Sequence, residues 1–134
     1  MEQAGNYRVQ WEDYTERYYA KVFEKKHKSK WALTVRDITA VCERIDNMLQ
    51  YNRADVISIK ENYKLVKLDF AIDGSRISPK TSGNRCILFI DENIRLVRIL
   101  LVYSKNEICA PNETQKWKAA IKKQFPEVRR IFQL

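Results

Sequence analysis

The stretch RCILFIDENIRLVRILLVYSK, Arg85 to Lys105, decides the fold. Two nearly continuous apolar runs flank Asp91-Glu92-Asn93. Strands that are apolar at almost every position are covered on both faces, and a short polar joint makes them antiparallel neighbours. Working outward, KLVKLDFAIDG alternates Val66, Leu68, Phe70 and Ile72 with Lys67, Asp69 and Ala71, which predicts a half-buried strand ending at Asp73-Gly74. Val56 to Ile59 reads as a shorter strand before it. SRISPKTSGN reads as a loop, with Pro79 and Gly83 as breakers.

The period changes at both ends of the chain. Trp11, Tyr14, Tyr18 and Val22 are spaced as one face of a helix over about 11–27. KKHKSK follows as its solvated, cationic C-terminal turn. Thr34 and Asp37 resemble a capping box opening a second helix over about 34–51, whose apolar face is Val35, Ile38, Val41, Cys42, Ile45, Met48 and Leu49. Asn112 and Gln115 form a cap pair for a last helix over about 112–125, with Trp117, Ala120, Ile121 and Phe125 as its stripe and Pro126 as its stop. EVRRIF reads as a short edge strand. The expectation is one α+β domain over residues 1–134. Two N-terminal helices pack on an antiparallel sheet of about four strands within residues 56–105, with a C-terminal helix added.

Bulk properties fit that reading. The 134 residues, 45% of them hydrophobic, suffice for one core. With 3 Gly and 3 Pro, long flexible linkers are not expected. No apolar run is long enough to span a bilayer, and MEQAGNYRVQ lacks the apolar core of a secretory signal, so a cytoplasmic protein is expected. Cys42, Cys86 and Cys109 show no metal-ligand spacing and read as small buried hydrophobes. The net charge of +8 is uneven. Residues 1–74 hold 13 Lys/Arg against 12 Asp/Glu, and residues 75–134 hold 12 against 5. A basic half suits a polyanionic partner.

No phosphate loop, nucleophile elbow or paired-histidine motif occurs, and the single His27 reads as a solvated residue. The suggestive group is Arg76, Lys80, Arg85, Tyr103 and Lys105, the last two closing the strand beside the one that Arg85 opens. Two registers are open. A two-residue turn at Glu92-Asn93 sets Arg85 opposite Leu100, facing away from Tyr103. A three-residue turn at Asp91-Glu92-Asn93 sets it opposite Ile99, on the face of Tyr103 and Lys105, and Asn93 favours this one. Lys80, Arg85, Tyr103 and Lys105 on one face would suit metal-independent RNA cleavage without a cofactor. Cations would stabilise the phosphate that the 2′-hydroxyl attacks, and Lys or Tyr would move protons. Arg76, Lys80, Arg85 and Arg98 are the candidate RNA contacts.

The order of elements, and the stretch ISPKTSGNRCILFIDENIRLVRILLVYSKNEI above all, resembles RelE/ParE-type bacterial toxins. The matching features are Pro79-Lys80 in a basic loop, Asn84-Arg85 opening a strand, and Tyr103-Ser104-Lys105-Asn106 closing the hairpin. The resemblance covers about residues 14–108. It implies catalytic roles for Lys80, Arg85, Lys105 and Tyr103, cleavage of mRNA on the ribosome, and a cognate antitoxin. In ParE-like members it implies a protein target instead. The chain departs from the pattern in its helix at 112–125, and in EICAPNE, which offers no counterpart to the family's basic or aromatic residue after the last strand. The first expectation is therefore a toxin that cleaves mRNA, and the departures support the alternative, a non-catalytic member of the fold that binds RNA or protein.

Overall fold

The computed structural model describes residues 6–50, 54–105 and 112–134. Its centre is a five-stranded sheet in the order β1-β5-β4-β3-β2. The strands are β1 Arg8–Trp11, β2 Ala54–Lys60, β3 Tyr63–Phe70, β4 Asn84–Asp91 and β5 Leu96–Ser104. β2 to β5 are antiparallel neighbours, while β1 lies parallel to β5. The fifth strand was not expected. Trp11 sits in it rather than in a helix, with its indole N–H donating to Thr39 at 3.0 Å.

Both sheet faces are covered, as the continuous apolar runs require. On one face Val66, Leu68, Cys86, Leu88, Ile99 and Val102 meet Phe23, Trp31, Ile38, Cys42 and Ile45 of the N-terminal helices. On the other, Leu65, Ile87, Phe89, Leu101 and Tyr103 meet Trp117, Ile121, Phe125 and Val128. The C-terminal segment is therefore a second helical layer. It consists of α5, Glu113–Gln124, and α6, Pro126–Phe132. EVRRIF is thus helical, not an edge strand. Pro126 does end α5, but its fixed φ and missing N–H also suit it to the first position of α6. Asn112 makes no side-chain cap bond.

The N-terminal helices also depart from their expected bounds. A π-helical turn, Thr15–Ala20, leads into α1, Lys21–His27. Lys28 reverses the chain at φ 51°, and α2 already begins at Ser29, running to Glu43, with α3 at Ile45–Gln50 beyond it. Thr34 is therefore inside α2. Its hydroxyl donates to the Lys30 carbonyl one turn back and accepts the Asp73 N–H, so it ties the helix to a loop instead of capping it. Cys42 and Cys86 are buried free thiols. Cys109, with the rest of residues 106–111, and the expected helix end at Tyr51 lie outside the described residues.

Candidate nucleic-acid interface

The β4–β5 hairpin adopts neither expected register. Its turn spans four residues, so Asp91 pairs with Leu96. That pairing alone would place Arg85 opposite Val102 and turn it away from Tyr103. One extra residue in β5 near Leu100 shifts the ladder between Ile87 and Leu88, and Arg85 pairs with Tyr103 directly. The buried Thr15 hydroxyl lies within bonding reach of the Ile99 and Leu100 carbonyls, at the irregular part of the ladder. The π-helical turn thus braces the bulge that sets the pairing.

Arg85 and Tyr103 share a face, and that face is closed. Arg85 is 9% exposed and Tyr103 2%. The Arg85 Nε donates to Asp69 Oδ1 at 3.1 Å, from the directly paired position on β3, and its Nη1 donates to the Asn84 carbonyl. Burial pushes the Asp69 carboxyl up, outweighing the downward pull of the Arg85 guanidinium. Tyr103 donates its hydroxyl to Glu113 of α5 at 2.5 Å. Burial first, then that hydrogen bond, raises the phenol far above its ordinary range, so it remains protonated at neutral pH.

Arg98 is engaged as well. It bridges Glu12, next to β1, and Glu127 of α6, and its guanidinium lies over the Phe89 and Phe125 rings. Burial opposes its charge, but the hydrogen bonds it donates to both carboxylates more than compensate. This arginine clasps three segments together and does not face solvent as an RNA contact.

The remaining predicted residues lie at the sheet end where β4 begins and β5 finishes. Lys80 is exposed on the one-turn helix α4, Pro79–Ser82. Lys105 is exposed just past β5, and its N–H donates to the Gly83 carbonyl at 2.8 Å, joining the two segments. Arg76 is exposed in the preceding loop at φ 63°. At the same end is a cleft of about 380 Å³, lined among others by Lys26, His27, Lys30, Ser75, Asn84 and Ser104. Asn84 and Ser104 are paired across β4 and β5, next to Arg85 and Tyr103 but on the opposite face, that of the N-terminal helices. Gly74 turns the loop at φ 78°, and the Lys30 ammonium packs where a Cβ at that position would point. Among the described residues no ion pair involves Lys26, Lys30, Lys80 or Lys105.

A larger groove of about 680 Å³ runs between the first two helices over Trp11 and Trp31. Its cations, Arg17, Lys21 and Lys28, stand beside two carboxylates, Glu16 and Glu24, whereas the sheet-end cleft has one, Asp73, beside Lys26 and Lys30. Among the described residues no helix is long and apolar enough to cross a membrane, and no three His, Cys, Asp or Glu side chains converge as metal ligands.

No family model and no curated protein matches the chain. Among solved structures, it is similar to the crystal structure of an archaeal RelE–RelB complex from Pyrococcus horikoshii OT3. The identity is 11% and the TM-score 0.44, over 75% of this chain and 96% of that one.

Lys26, His27 and Lys30 line the cleft but were not among the expected site residues. The KKHKSK run was assigned to a solvated helix end. The run reaches the sheet end because Lys28 reverses the chain at φ 51° and the Asp73-Gly74 turn packs against Lys30 and bonds to Thr34.

Proposed function

We propose that the chain binds RNA without cutting it, as a non-catalytic member of the RelE-like group it resembles, and that the sheet-end cleft is the binding site. One observation carries this reading. Lys26 and Lys30 line the cleft with the hydrogen-bonding side chains of Ser75, Asn84 and Ser104, and Lys80 and Lys105 are exposed at the same end of the sheet, whereas Arg85 and Arg98 are neutralised by carboxylates. Unpaired ammonium groups suit phosphates, and the neighbouring amide and hydroxyls can take ribose or base edges. The protonated, buried Tyr103 is poorly suited to moving protons.

A second reading is an mRNA-cleaving toxin of the cytoplasm that acts on the ribosome and is held by a cognate antitoxin. It is favoured by the direct pairing of Arg85 with Tyr103 at the end of the sheet that carries Lys80 and Lys105. That reading requires α5 and α6 to leave the sheet. Labelled single-stranded RNA distinguishes the two. Binding whose affinity falls with salt at a log–log slope of about −3, the value for contact by the four lysines, with the RNA intact afterwards, is the expected result. Cleaved RNA, or growth arrest on induced expression, would favour the toxin. Absence of binding at low salt would remove RNA as the partner.

A further inference from the structure

The outer edge of β2 is open among the described residues, since β2 pairs only with β3. It carries two exposed large apolar side chains, Val56 at 43% and Ile59 at 60%. Three residues apart in a regular strand, they would point to opposite faces. A bulge between Val56 and Ser58 changes this. Val56 pairs with Val66 and Ile59 with Lys64, which places both on the face of the N-terminal helices. Asp55 pairs with Lys67 and Lys60 with Tyr63, which places both on the opposite face.

We propose that β2 is the contact between two copies of this chain, paired antiparallel about a two-fold axis between Ile57 and Ser58. In that register Asp55 faces Lys60 of the partner subunit, and Val56 faces the partner subunit's Ile59, each pair twice. A two-fold axis perpendicular to the sheet keeps every residue on its own face, so both pairs meet only because the bulge has put their members on the same side. The occupant follows from the same geometry. A bulge normally protects an edge by spoiling its fit to a regular strand. A strand with the same bulge at the same place fits, and the second copy supplies it. Cross-strand apolar and opposite-charge pairs are the stabilising units of such a joint.

Light scattering coupled to gel filtration, on the full chain at micromolar to millimolar concentrations, tests the proposal. A dimer is expected. Ile59→Glu, which places a carboxylate beside Lys64 within its own chain, should raise the dissociation constant about tenfold or more. Asp55→Lys should do the same, and Asp55→Lys with Lys60→Asp should restore the dimer, because the swap rebuilds both ion pairs across the axis. Far-UV circular dichroism of each variant confirms that it folds. A monomer at every concentration, or a dimer indifferent to Ile59→Glu and to the charge swap, overturns the proposal.

Discussion

The two sheet regions that hold cations differ in what surrounds them. On the face under α5 and α6, each arginine has its carboxylate: Arg85 has Asp69, and Arg98 has Glu12 and Glu127. At the end of the sheet, Lys80 and Lys105 stand with Lys26 and Lys30 in solvent, and none of the four is in an ion pair among the described residues. A buried cation must be paired, because desolvation of an unpaired charge costs several kcal/mol, so the closed face spends its charge on holding the layers together. Exposed lysines bear no such cost and keep their charge for a ligand. Position in the fold, more than the count of basic residues, divides binding cations from structural ones.

The comparison breaks most severely if the helical cover is lost. Trp117→Ala removes the largest α5 side chain from the closed face and should destabilise the protein by about 3–5 kcal/mol, read from the midpoint of chemical denaturation. Arg98→Met should cost about 2 kcal/mol. That lies between a surface pair and a fully buried one, since its side chain is 17% exposed. The same clasp sets a pH dependence. Burial alone would raise Glu127, but its hydrogen bond from Arg98 prevails and holds the native carboxyl below its ordinary value. Its contribution is therefore complete above the ordinary glutamate range and is lost as pH falls through the lowered native value. Arg98→Met should flatten that acid limb, and an unchanged limb would remove the clasp from the account.

Thr15→Val keeps the shape but removes the hydroxyl from the β5 bulge, at a cost of about 1–2 kcal/mol. If the Arg85–Tyr103 pairing depends on that brace, nuclear Overhauser contacts between β4 and β5 near Leu100 will shift in this variant. Tyr103→Phe, which frees Glu113, should cost about 1 kcal/mol and leave RNA affinity unchanged.

The central hairpin was readable because its apolar runs have one physical meaning, burial on both sides, and both faces are covered. The register was not readable. It depends on a four-residue turn and on a bulge near Leu100, whose brace, Thr15, is distant in sequence. The N-terminal strand was hidden because Trp11 also fits the helical spacing of Tyr14 and Tyr18, and four residues beside a parallel partner leave little pattern of their own. EVRRIF misled for a related reason, since a seven-residue helix is too short for the spacing of Val128 and Ile131 to stand out from that of a short strand. Charge was legible in amount and misleading in place. Of the basic half, α5 and α6 hold six Lys/Arg against two Asp/Glu, a net of +4 on the covering layer, while both lysines that line the cleft, Lys26 and Lys30, come from the balanced half of the chain.

The most direct test of this division is RNA affinity for Lys26→Glu/Lys30→Glu set against Arg85→Ala, each titrated with salt. The double reversal should weaken binding at least tenfold and flatten the log–log salt slope by about 1.4, the share of two single-strand phosphate contacts. Arg85→Ala should leave both quantities unchanged so long as the protein remains folded. If Arg85→Ala abolishes binding while the double reversal is silent, the closed face is the working one and the account is contradicted.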